Sequence, residues 1–128
     1  MKTKQREQTV VVLGASADPE RYAYRAVALL VEHGHRVIPV HPALAEVQGI
    51  PVVRSLEEIG ERVDTLTLYV GAARLAGLIP AMVGLRPGRV IFNPGTESAE
   101  VAAALDAAGI PWEEGCTLVM LRTGQFDF

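Results

Sequence analysis

A chain of 128 residues, 49% of them apolar with few aromatics, is long enough for one domain with an aliphatic core. Its net charge of −3 argues against a general nucleic-acid or membrane-surface binder, so any anionic ligand must be captured by local groups. No apolar run reaches transmembrane length, the polar start lacks the apolar block of a signal peptide, and the single Cys116 cannot close an internal disulfide; a cytoplasmic protein is expected.

Residues 1–8 are charged and polar and read as a flexible lead-in to one domain over residues 9–128. A strand over residues 9–13 (Val10, Val11, Val12, Leu13) runs into Gly14-Ala15-Ser16 and then a helix over 21–32, whose Ala23, Val27, Leu30 and Val31 recur at helical spacing before a glycine stop at Gly34. A second strand spans 36–40, and the stretch 49–53 reads as a short edge strand because its Pro51 suits an edge. Ser55-Leu56-Glu57-Glu58 is a capping-box pattern for a short helix over 56–60. Residues 64–70 run apolar, as a strand buried on both faces does, and a third helix is expected over 72–85 with Pro80 kinking it. A strand over 89–92, a turn at Asn93-Pro94-Gly95, a helix over 98–108 and a strand over 110–112 follow, and residues 116–120 fit either a strand or a helical turn.

Strands alternating with helices predict a single Rossmann-like α/β domain, a mostly parallel sheet with helices on both faces and strand order 3-2-1-4-5-6. Ligands in such sheets sit beyond the carboxyl ends of the strands where the order reverses, which gathers Gly14, Ala15, Ser16, Arg21, Arg25, His41, Val70, Gly71, Arg74 and Asn93-Pro94-Gly95 around one crevice. A helix starting just past a glycine turn aims unpaired N–H groups there, and guanidinium matches phosphate, so an anion is expected. The loop is not a G-x-G-x-x-G fingerprint: Ser16 and Pro19 stand where the second and third glycines belong, and a serine hydroxyl replaces close backbone approach. Plain alternatives are a simple strand-to-helix turn and solvated arginines.

The second strand ends Val40-His41-Pro42 without the carboxylate that reads the ribose in NAD sites, which disfavours NAD and leaves a ribose-phosphorylated ligand open. His33 and His35 flank a glycine in a poor metal geometry, Cys116 has no histidine after it to activate it, and Glu113-Glu114 face opposite ways if they lie on a strand. Tyr69 is the one plausible proton donor near the crevice, so no nucleophile, base and orienting group assemble.

The succession strand-Gly14-Ala15-Ser16, then Pro39-Val40-His41-Pro42, then Leu68-Tyr69-Val70, then Phe92-Asn93-Pro94-Gly95, closed by Cys116-Thr117-Leu118-Val119-Met120, resembles the stand-alone CoA-binding protein family, related to the CoA-binding domain of the succinyl-CoA synthetase α subunit. The likeness spans residues 9–126. It implies CoA or an acyl-CoA as ligand, with Ala15 and Ser16 on the phosphates, Val40 and Pro42 beside the adenosine, and Tyr69 and Val70 along the pantetheine. Leu44 stands where the synthetase domain has a phosphate-contacting lysine, which makes His41, as an imidazolium, the nearest candidate for the ribose 3′-phosphate. The expectation is non-catalytic binding, with the ligand reported on or delivered to a protein partner; the alternatives are a small NADP-dependent oxidoreductase and an interaction module that has lost its ligand.

Overall fold

The computed structural model describes residues 6–127, so the first five residues of the expected lead-in lie outside the described residues. Along the chain come β1 (Thr9–Leu13), α1 (Tyr22–Glu32), β2 (Arg36–Val40), a hairpin of β3 (Glu46–Val47) and β4 (Ile50–Pro51), a 3-10 turn at Leu56–Glu58, β5 (Thr65–Leu68), α2 (Ala72–Ala76), α3 (Ile79–Leu85), β6 (Arg89–Phe92), α4 (Ala99–Ala107), β7 (Trp112–Glu114) and α5 (Thr117–Arg122).

The main sheet has the order β2-β1-β5-β6-β7, and every pair in it is parallel. β1 is flanked on both sides, with Val11 opposite Ile38 on β2 and Leu66 on β5. Its side chains alternate, as pleating requires. Val11 and Leu13 join Leu66, Leu68, Val90 and Phe92 under Leu75, Met82 and Leu105 of α2, α3 and α4. Val10 and Val12 pack on the other face with Val27 and Leu30 of α1 and Leu121 of α5. Helices on both faces are what a parallel sheet needs to bury its two apolar surfaces.

The expected Rossmann-like class and central strand order hold, with local corrections. The stretch 49–53 is not one strand. Val47 and Ile50 pair across a two-residue turn, Gln48-Gly49, whose φ values of 53 and 79 fit the type I′ geometry that twists with its strands. Only Val53 then reaches the β2 edge, as a single parallel bridge to Val40. The Ser55 pattern gives a 3-10 turn without a side-chain cap. The helix expected over 72–85 breaks at Gly77 and Leu78, and Pro80 sits in the first turn of α3, where its missing N–H costs nothing. The last strand lies two residues later than expected, at Trp112–Glu114, and residues 117–122 are helical.

Gln8, expected in the flexible lead-in, is buried. Its backbone N–H donates to His35 Nδ1 at 3.0 Å, and its side-chain oxygen accepts from Thr65 Oγ1 at 2.6 Å. Arg89 lies in the same buried patch, donating to Thr65 Oγ1 at 2.9 Å and to the Phe126 carbonyl, with its guanidinium 4.6 Å from the Phe126 ring centre. This polar patch closes the amino-terminal end of the sheet and leaves the carboxyl end for the site.

Candidate functional site

A pocket of about 590 Å³ opens at the carboxyl ends of β1, β5 and β6. Its floor depends on Gly14, which has φ +90 and passes so close to the next strand that a β-carbon there would lie 2.7 Å from Val70 Cγ2 and 2.9 Å from the Tyr69 carbonyl oxygen. Only glycine suits that backbone and that space.

The loop after Gly14 uses part of its own hydrogen-bonding capacity. The Val40 carbonyl accepts the N–H groups of both Gly14 and Ala15, at 3.1 Å each, so these two amides are not available to an anion. The next two, at Ser16 and Ala17, have no acceptor among the described residues. Ser16 Oγ accepts from the Asp18 N–H at 3.0 Å, which leaves its hydroxyl proton free to donate, and Asp18 Oδ1 accepts from the Glu20 N–H at 3.0 Å. These turns deliver the chain to α1, whose N-cap residue Arg21 makes no side-chain cap bond. An 11-residue helix thus begins at the pocket with its first-turn amides uncapped and its positive end towards the lumen.

Of the residues expected at the site, Gly14, Ala15, Ser16, Arg21, His41, Tyr69, Val70, Gly71, Arg74, Pro94 and Gly95 line this pocket. Neither Arg21 nor Arg74 has a carboxylate partner among the described residues. Arg25 is not in the lining: its guanidinium lies 5.7 Å from the Tyr22 ring centre and 3.8 Å from Glu20 Oε2. Val40 is buried and contributes its carbonyl to the loop, and Pro42 is exposed outside the lining.

His41 lines the pocket at the start of the turn that follows β2. Its Nδ1 accepts the N–H groups of Ala43 at 3.0 Å and Leu44 at 3.2 Å, which braces the turn and leaves Nε2 outside both bonds.

Asn93 is also a scaffold residue. Its Nδ2 donates to Thr67 Oγ1 at 2.6 Å and the Leu68 carbonyl at 2.8 Å, and its Oδ1 accepts from the Thr117 N–H at 2.9 Å. It ties β5 to the start of α5 and so fixes the turn that presents Pro94 and Gly95. Tyr69 lines the pocket, and its buried hydroxyl lies near the Thr67 and Thr117 hydroxyls, which are 2.8 Å from each other, without a well-formed hydrogen bond among the described residues. Burial pushes the phenol well above its ordinary range, so it holds its proton.

Tyr22 and Thr96 line the pocket without having been singled out from the sequence. Tyr22 follows Arg21 at the first helical position, a signal that was present, whereas Thr96 is placed by its hydroxyl bond to the Asn93 carbonyl, 2.8 Å, which no spacing announces. Cys116 is the half-buried N-cap of α5 and is not in the lining. No group of three His, Cys, Asp or Glu among the described residues is arranged to hold a metal, and no helix among them is long and apolar enough to cross a membrane.

A crevice at the switch point of a doubly covered parallel sheet, lined by Arg21 and Arg74, defines a Rossmann-type domain. A family model described as "CoA binding domain" matches residues 8–122, and the chain belongs to that family. It is 30% identical over 74 residues to the uncharacterized protein YneT of Bacillus subtilis (strain 168), a match covering 58% of this chain and 55% of YneT. It is 37% identical over 62 residues to the α subunit of an ADP-forming acetate–CoA ligase II of Pyrococcus furiosus, covering 48% of this chain and 14% of that protein. The matches therefore span about half of the first relative and a small part of the second. Among solved structures, the chain resembles a cell-free-expressed protein, ID.343, from Thermus thermophilus, with TM-score 0.86 at 35% identity over 94% of this chain and 91% of that one. A crystal structure of another uncharacterized protein gives TM-score 0.84 at 40% identity, covering 94% and 99% of the two chains.

Proposed function

We propose that this chain binds coenzyme A or an acyl-CoA in the crevice and does not itself turn the ligand over. The observation that carries the reading is a concentration of unspent anion-binding groups in an acidic chain: two guanidiniums without carboxylate partners, the free Ser16 and Ala17 amides, and the uncapped start of α1, all at one pocket. Charge-assisted bonds of this kind favour a ligand with several phosphate groups. Family membership supports CoA as that ligand. The carboxylate-free end of β2, with His41 lining the pocket, suits a phosphorylated ribose rather than the free ribose hydroxyls of NAD.

The case for binding without chemistry rests on the side chains. The Tyr69 hydroxyl is buried and firmly protonated, and Cys116 lies outside the pocket lining with no histidine hydrogen-bonded to it among the described residues. Native mass spectrometry of the freshly purified protein offered equal CoA, NAD and NADP tests the ligand. Retention of a CoA species is expected, and preferential retention of either dinucleotide overturns the reading. Steady hydrolysis of an acyl-CoA by the protein alone, abolished by Cys116→Ala, overturns the non-catalytic part.

A further inference from the structure

We infer that Tyr22 is the platform on which the ligand's purine base stacks, held in place by Arg25; this rests on the CoA reading above. Three large apolar side chains among the described residues are exposed: Tyr22 at 66%, Val31 at 49% and Val119 at 51%. Of these, Tyr22 alone lines the crevice. An aromatic ring left open at the edge of a pocket built for phosphate is placed to take a flat, apolar group attached to those phosphates.

The ring is also prepared for that role. Tyr22 is the first residue of α1, and Arg25, three residues on and so on the same side of the helix, lays its guanidinium over the ring at 5.7 Å from the centroid. Glu20 holds that guanidinium in turn at 3.8 Å. A ring braced by a neighbour loses less rotamer freedom when a base stacks on it. Leu44 lines the same pocket from the connection after β2, the strand adjacent to β1, and adds aliphatic surface at that side. The loop with its free amides, Tyr22 and Leu44 all line one pocket, as a site for the phosphates and base of one nucleotide requires. Arg25 is thus a positioning residue for Tyr22.

The test combines affinity with the adenine absorbance band, which loses intensity when the base stacks. Wild type and Tyr22→Phe should bind CoA with similar affinity and the same hypochromic change. Tyr22→Ala should bind about tenfold more weakly and lose that change. Arg25→Ala should weaken CoA binding by about two- to threefold, and Arg25→Lys, which keeps a cation over the ring, should recover most of the loss. If wild type binds CoA and Tyr22→Ala binds it equally well, or more weakly but with the hypochromic change intact, the platform is overturned and the CoA reading stands. A wild-type protein that does not bind CoA overturns both.

Discussion

Gly14 and Val70 approach so closely that a β-carbon on Gly14 would come within 2.7 Å of Val70 Cγ2. The contact joins the end of β1 to the residue after β5, the two strands between which the crevice opens. Gly14→Ala must therefore both strain a backbone at φ +90 and push β5's end away, at a cost of about 2–4 kcal/mol. Chemical denaturation should show that loss, and CoA binding should fall with it, because Tyr69 and Val70 line the pocket. A Gly14→Ala protein of wild-type stability would mean that the approach is not as close as described.

His41 has two separable jobs. Nδ1 holds the turn by accepting from Ala43 and Leu44, while Nε2 takes no part in those bonds and is the atom proposed to meet the ligand. Asparagine can keep the first job with its side-chain oxygen and lacks the second. His41→Asn should keep thermal stability and lose preference for CoA over dephospho-CoA, whereas His41→Val should also lose stability, by about 1–2 kcal/mol for the two bonds. Unchanged discrimination in His41→Asn would assign the 3′-phosphate to Arg21 or Arg74.

His35 sets a pH dependence at the far end of the sheet. It is buried with Nδ1 accepting from Gln8 and Nε2 without a partner among the described residues, and burial holds its pKa below the ordinary 6.5, with His33 and Arg89 adding to the effect against Asp127 and Glu7. The unfolded chain then binds more protons than the folded one, so stability is complete above pH 6.5 and declines as pH falls below it. Unfolding midpoints measured from pH 7.5 to 5 should fall, and His35→Asn, which retains an acceptor for Gln8, should flatten the decline. A wild-type midpoint that stays level over that range would contradict the assignment.

Much of this architecture could be read from the sequence because parallel strands buried on both faces leave unbroken apolar runs, as at Val10 to Leu13 and Val90 to Phe92. The elements that were misread lie where burial is one-sided or local geometry decides. β7 carries the exposed Glu113 and Glu114, so no apolar run marks it, and the helix break before Pro80 looks in sequence like a kink because proline suits a first turn as well. The site was legible as a set of strand ends, since topology brings those together. Which of its groups were already spent was not: that Val40 takes the Gly14 and Ala15 amides, that Asn93 is fully engaged and that Arg25 turns to Tyr22 are facts of three-dimensional placement.

Calorimetric titration of CoA, NAD and NADP into wild type, Arg21→Ala and Arg74→Ala tests the central claim most directly. Each guanidinium contact to phosphate contributes roughly 1.5–3 kcal/mol, so either substitution should weaken CoA by about tenfold or more. The account predicts that wild type binds CoA more tightly than either dinucleotide and that both substitutions weaken it. Tighter binding of NAD or NADP, or CoA affinity unchanged in both variants, would contradict it.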